Sequence, residues 1–283
     1  MHYQELEPSA ELRDLVHRIW LLRGPAGTGP GAFQRAMPDG RAELIFNLGD
    51  PFECRGRDGI RAQPRTLLVG PSRRAMEIRP TGLVDLVGVR FRPEAASAWL
   101  RVGGSELLDR AYAAGDLPVP LAPTLAEQLA GEPGAGSRVA LLRRELARGR
   151  GRWGFDPRLG AAVDLLLGDG RARPDAIARA VGMSYRQMSR RFKERLGFGP
   201  KPLVRLGRFQ RVLRALDGRG RHPIAAVAVR AGYFDQAHLA RDFRLFAGVA
   251  PARYLREARE LARNFIADAE PAGEFFQDLA DPR

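Results

Sequence analysis

The chain has 283 residues, 45% of them hydrophobic and 28% charged, a composition that suits a soluble globular protein long enough to bury two separate cores. No apolar run approaches the about 18 residues that a membrane span needs. The N-terminal MHYQELEPSAEL lacks the basic-then-apolar pattern of a secretion signal, so the cytoplasm is the expected compartment. One cysteine, Cys54, excludes an internal disulfide, and four scattered histidines (His2, His17, His222, His238) show no metal-ligand spacing, so neither metal nor cofactor is expected.

In chain order, residues 1–150 form a first unit. Short apolar runs, AELIFNLG, RTLLVG and LVDLVGVRF, are separated by Gly and Pro turns and predict strands of a small β sandwich or barrel. After Pro93 the spacing turns helical in EAASAWL, in ELLDRAY beyond Gly103 and Gly104, and in SRVALLRRELARG, which leads into the linker GRGRWGFDP. Cys54 lies in PFECRGRDG, read as a polar, turn-like segment with no histidine near it in sequence, which argues against a catalytic nucleophile. Arg90, Arg92 and Asn47 sit on predicted strands, where a solvated face is favoured over an anion site.

The net charge of +13 is unevenly placed. Residues 171–263 carry 22 Arg and Lys against 7 Asp and Glu, whereas the remainder carries 24 against 26. Codon bias does not sort charge in this way; a basic block beside a near-neutral unit is the footprint of a polyanion-binding domain. Within the block the chain repeats itself. Ile177, Ala178 and Gly182 match Val227, Ala228 and Gly232; then, one residue out of step, Met188, Phe192, Lys193, Gly197, Pro200 and Arg205 match Leu239, Phe243, Arg244, Gly248, Pro251 and Arg256.

Each copy reads as helix, turn, helix. Pro174 and Pro223 suit helix starts, Gly182 and Gly232 suit positive φ in the turn, and Ser184 and Asp235 suit N-caps of second helices. Met188, Phe192 and Leu196 form one inward stripe, and Leu239, Phe243 and Phe246 the other. The outward faces are then Tyr185, Arg186, Ser189, Arg190 and Lys193 in the first copy and Gln236, Ala237, Ala240, Arg241 and Arg244 in the second, with His238 at the margin. Arg pairs with guanine, Gln with adenine, and small apolar groups sit against thymine methyls, while the distal Lys and Arg suit phosphate. His238 is divided evenly between base contact and a packing or phosphate role. Phe234, beside Tyr233 in the second turn, is of undecided exposure.

The second repeat, IAAVAVRAGYFDQAHLARDFRLFAGVAPARYLR, closely resembles the signature of the AraC/XylS family of bacterial transcriptional regulators, and the first resembles that family's other helix-turn-helix. The resemblance spans about residues 155–260. It implies a seven-helix, all-α DNA-binding domain at 155–263, with one helix near Arg158 to Leu167, two helix-turn-helix units, a joining helix near Pro202 to Asp217 and a closing helix after Pro251. It also implies recognition helices in successive major grooves, the DNA-binding residues being Tyr185, Arg186, Ser189, Arg190, Lys193, Gln236, Ala237, His238, Arg241 and Arg244. PDGRAELIFNLGDPF with GVRFRPEAASAWL is similar to an uncharacterised, distantly cupin-like domain found on a subgroup of these regulators. The expected fold class is therefore α+β, a β-rich sensor or dimerisation domain at 1–150 followed by the helical domain and an acidic tail at 264–283 bearing Phe275 and Phe276. Promoter DNA is the implied partner; RNA polymerase, a small-molecule effector and a second copy of the chain are left open, as are activation and repression. An enzyme with an accessory DNA-binding domain, and a nonspecific nucleoid protein, are the rival classes; the sequence offers no paired nucleophile and base for the first, and the duplicated recognition frame speaks against the second.

Overall fold

The computed structural model describes residues 2–25, 33–56, 58–116, 121, 124–148, 154–217 and 223–257. Part of the expected linker (149–153), His222 and the tail 264–283 lie outside them.

The first domain opens with β1 (His2–Leu6), β2 (Val16–Gly24), β3 (Gln34–Ala36), β4 (Glu43–Asn47), β5 (Phe52–Gly56), β6 (Gly59–Ala62), β7 (Thr66–Val69), β8 (Met76–Pro80) and β9 (Val84–Phe91). Then follow α1 (Ala96–Leu100), α2 (Gly104–Leu107), β10 (Ala111–Ala113), α3 (Leu125–Gly131) and α4 (Ala135–Arg148). Two antiparallel sheets result, ordered β1-β2-β9-β4-β7-β10 and β3-β8-β5-β6. One face of the larger sheet, through Ile19, Leu21, Leu44, Phe46, Val87, Val89 and Phe91, packs on Trp99, Leu100, Leu125, Leu129, Val139 and Leu142 of the helices. Its other face turns Trp20, Val84 and Leu86 toward Phe52 and Ile78 of the smaller sheet. Burial on both faces explains why LVDLVGVRF reads as a continuous apolar run.

Two local expectations are corrected. ELLDRAY is not one helix: α2 stops at Leu107, Asp109 takes φ +57°, and 111–113 form β10 against β7. The open edge of β7 offers backbone pairing that a one-turn helix cannot match, and the Tyr112 hydroxyl fixes the return by donating to the Glu106 carbonyl at 2.6 Å. PFECRG is a strand, β5, paired on both sides. It looks polar in sequence because cross-strand ion pairs, Glu53–Arg79 at 2.5 Å and Arg55–Glu77 at 3.0 Å, cover the smaller sheet.

Arg90, Arg92 and Asn47 are neither solvated nor free for an anion. Arg90 is held by Glu43 at 2.5 Å, Glu5 at 3.0 Å and Asp39 at 3.6 Å. These carboxylates outweigh the burial that opposes its charge and hold its pKa above the usual arginine value. Arg92 reaches Glu94 and Asp164, each at 2.8 Å. Asn47 closes its own turn, accepting from the Gly49 N–H and donating to the Asp50 carbonyl.

The helical domain follows as α5 (Pro157–Gly168), α6 (Pro174–Ala180), α7 (Tyr185–Leu196), α8 (Pro200–Asp217), α9 (Ile224–Arg230) and α10 (Gln236–Ala247). With a last helical stretch at 251–257 these make the seven expected helices. Asp156 caps α5 by accepting the Leu159 N–H, and Pro157 takes the first helical position. Two cores form, one around Phe192 with α5 and α6, one around Phe209, Phe243 and Phe246 with α9. The 18-residue α8 joins them, giving Leu203 and Val204 to the first and Leu206, Phe209 and Val212 to the second.

The β-rich domain touches both halves of the helical one. Helices α1 and α2 meet α7, with the backbones of Gly104 and Gly197 so close that a Cβ on Gly104 would lie 2.5 Å from the Gly197 nitrogen. The turn of PDGRAEL lies on α8: Gln210 donates to the Pro38 carbonyl and Met37 packs on the second core. Gly40, at φ +78°, comes so near α8 that a Cβ would stand 2.8 Å from Cδ2 of Leu206. On the far side the Ala75 N–H donates to the Phe246 carbonyl at 2.7 Å, and Arg35 pairs with Glu257.

Candidate nucleic-acid interface

The repeat in the sequence is a repeat in hydrogen bonds. In the first unit the Gly182 N–H, at φ +68°, donates to the Arg179 carbonyl and the Met183 N–H to Ala178, at 3.0 and 2.9 Å. In the second the Gly232 N–H, at φ +93°, donates to Val229 and the Tyr233 N–H to Ala228, at 3.1 and 2.9 Å. The positive φ lets the chain leave each first helix and start the next within a few residues. Ser184 accepts from the Gln187 N–H while Gln187 accepts from the Ser184 N–H, a reciprocal capping box. Asp235 caps α10 by accepting the His238 N–H at 2.6 Å. Both helices end on a left-handed glycine, Gly197 and Gly248.

The inward stripes are as expected: Met188, Phe192, Leu196, Leu239, Phe243 and Phe246 are buried. On α7, Tyr185, Arg186, Arg190 and Lys193 are exposed along one face, with Arg190 loosely paired to Glu194 at 3.7 Å. On α10, Gln236, Ala237, Arg241 and Arg244 are exposed. Two expected contacts are less open. Ser189 is half-buried with its hydroxyl enclosed and without a hydrogen-bond partner among the described residues. His238 is half-buried, its ring edge-on to Tyr233 with centroids 5.1 Å apart. The two helices carry no acid on their first turns, and Lys193, Arg195 and Arg244 stand in the last turns, where the helix dipole favours a cation.

A pair of ion bridges that single residues do not reveal anchors the helices. Arg191 of α7 binds Asp156, the cap of α5. Asp242, at the corresponding place on α10, is buried and bound by Arg205 of α8 at 2.6 Å. Arg208 and Arg211 of α8 donate to the Gly170 and Leu167 carbonyls, at 2.6 and 2.7 Å, tying the end of α5 to the joining helix. In sequence these charges look like more of the basic surface; only the offset of the repeat would have paired Asp242 with Arg191. Ser184 followed three residues later by Gln187 is the local signal that marks this capping box, beyond the N-cap alone.

Two capped, outward-facing basic helices in duplicate frames on one rigid joining helix define a double helix-turn-helix DNA-binding domain. Residues 177–257 match a family model described as a helix-turn-helix domain, and residues 4–113 match one described as a domain of unknown function (DUF6597). Similar solved structures include ToxT from Vibrio cholerae, with 10% identity over 83% of this chain and 98% of that one and a TM-score of 0.48. The form of ToxT from Vibrio cholerae strain SCE256 with a bound unsaturated fatty acid has 12% identity over 84% of this chain and 94% of that one, at a TM-score of 0.47. A transcriptional regulator with an AraC-type DNA-binding domain from Chromobacterium violaceum has 28% identity over 36% of this chain and 92% of that one, at a TM-score of 0.34. No curated protein matches the sequence. The helical domain is a helix-turn-helix domain, and the chain is a DNA-binding transcriptional regulator.

Proposed function

We propose that α7 and α10 enter successive major grooves on one face of promoter DNA, with half-sites about 34 Å apart. Arg186, Arg190, Gln236 and Arg241 read base edges, Lys193 and Arg244 hold phosphates, and Tyr185, Ser189, Ala237 and His238 line the same surfaces. The observation that carries this reading is the duplicated frame itself, with the same turn, cap, stripe and anchor position in both units. A monomer then reads two half-sites that need not be palindromic.

The β-rich domain controls this grip through its contacts with α7, α8 and α10. An effector bound to that domain acts by loosening or tightening those contacts, and so by changing how the two recognition helices are held. The chain is a binding protein rather than an enzyme, at work where promoter DNA is, in the cytoplasm. The Cys54 thiol supports the first point, since burial and the nearby Glu77 push its pKa up, the wrong direction for a nucleophile. Selection of bound duplexes from a random pool with the full chain, followed by footprinting, tests the reading: two half-sites about 10 base pairs apart support it, and a footprint of one half-site contradicts it.

A further inference from the structure

Phe234 is the residue by which the two turns differ. Met183 and Tyr233 are equivalent, because each N–H donates to the corresponding carbonyl of the preceding helix, Ala178 or Ala228, and both side chains are buried. Ser184 and Asp235 are equivalent as the caps. The one-residue change of offset in the repeat therefore falls on Phe234 alone. Its side chain takes no part in the second core and is 89% exposed, whereas the next most exposed large apolar residue among the described residues of the helical domain, Val229, is 52% exposed. It stands immediately before the cap of α10, at the end from which a recognition helix reaches base edges.

We propose that Phe234 is a specificity-determining residue of the second unit, its ring packing on the 5-methyl group of a thymine at the edge of the half-site that α10 reads. The inference rests on the reading of this domain as a two-groove DNA binder. The chemistry follows from what the two helix starts present. The first turn of α7 offers Tyr185 and Arg186, groups that hydrogen-bond. The start of α10 offers Gln236, which hydrogen-bonds, between exposed Phe234 and Ala237, which cannot. The thymine methyl is the apolar feature of the major groove, so an apolar edge on the protein selects for it. Covering the ring against DNA also removes from water an aromatic surface that none of the described residues covers.

The test uses the full chain and the duplex it selects from random DNA, with each thymine of the second half-site replaced in turn by deoxyuridine, which lacks only the methyl. At one position the wild type should lose about fivefold in affinity. Phe234→Ala should lose about the same factor on the unmodified duplex, ignore the replacement there, and keep the wild-type salt dependence, because no phosphate contact is removed. An unchanged unfolding midpoint confirms that the variant folds. The proposal is overturned if Phe234→Ala binds as tightly as the wild type, if it stays sensitive to deoxyuridine, if it weakens equally on random DNA, or if the selected half-site holds no thymine. Failure of the wild type to prefer its selected site over random duplex would overturn the DNA-reading function as well, and is seen before any variant is made.

Discussion

Arg191 and Asp242 hold the same place in the two recognition helices and are anchored by ion pairs of opposite sense. Arg191 binds Asp156 ahead of α5, and Asp242 binds Arg205 on α8. The duplication has thus kept the position of an anchor while exchanging its charges. The two pairs differ in the burial of the carboxylate: the Asp242 side chain is 3% exposed and that of Asp156 20%, while Arg205 and Arg191 are alike at 45% and 42%.

That difference sets the size of the expected losses. Asp242→Asn leaves Arg205 without its carboxylate and should lower stability by about 1 to 3 kcal/mol, the half-exposed arginine keeping the loss below that of a fully buried pair. Arg191→Gln should lower it by under about 1 kcal/mol, as for other solvent-screened pairs. Denaturant titration of the full chain measures both; equal losses would show that burial does not govern these anchors.

At the Pro38–Arg41 turn, Gly40→Ala combines a strained positive φ with a clash against Leu206. The cost should exceed about 1 kcal/mol. Hydrogen exchange should rise in α8 near Leu206 and Gln210 while the interior of the larger sheet stays protected. Faster exchange throughout the β-rich domain with α8 unaffected would place the role of this turn within its own domain.

His17 supplies a pH dependence. Burial, with Arg41, Arg18 and Arg90 nearby, lowers its pKa from 6.5 to about 3, Asp39 opposing weakly. Between these values the unfolded chain binds a proton that the folded one does not, so stability falls as pH drops through the window from about 6.5 toward 3. His17→Gln, which cannot protonate, should show a smaller drop in melting temperature between pH 7 and pH 5 than the wild type. An identical drop would mean that His17 is readily protonated in the folded state.

On DNA, Arg190→Ala should cost about 1 to 3 kcal/mol on the selected site and relax preference at one base pair. Lys193→Ala should weaken binding evenly across sequences and reduce the salt slope by about one. Gel shifts over a series of salt concentrations and single-base variants separate the two; an even loss for Arg190→Ala would make it a phosphate contact.

Much of the helical domain was legible because its signals are local. Apolar residues recur at helical spacing, Ser184 and Asp235 stand where caps belong, and Gly182 and Gly232 mark turns whose φ only glycine takes freely. The faces of α7 and α10 followed from the inward stripes by subtraction. Less legible were features set by distant parts of the chain. Residues 111–113 became a strand because β7, some forty residues earlier, offered an edge, and PFECRG hid a strand behind charges that pair across the sheet. Asp242 is buried in a domain read as a basic surface, because its partner is 37 residues away. Spacing places Ser189 on the outer face and His238 at its margin, and packing draws the Ser189 hydroxyl and the His238 ring partly inward.

The central claim, that one chain reads two half-sites through α7 and α10 together, is tested most directly by inserting about 5 base pairs, half a helical turn, between the half-sites of a selected duplex. Rotating one half-site to the opposite face should reduce the affinity of the full chain to near that of a single half-site, and an insertion of about 10 base pairs should fail as well, because α8 fixes the span. Unchanged affinity with the half-turn insertion would contradict the simultaneous use of both units.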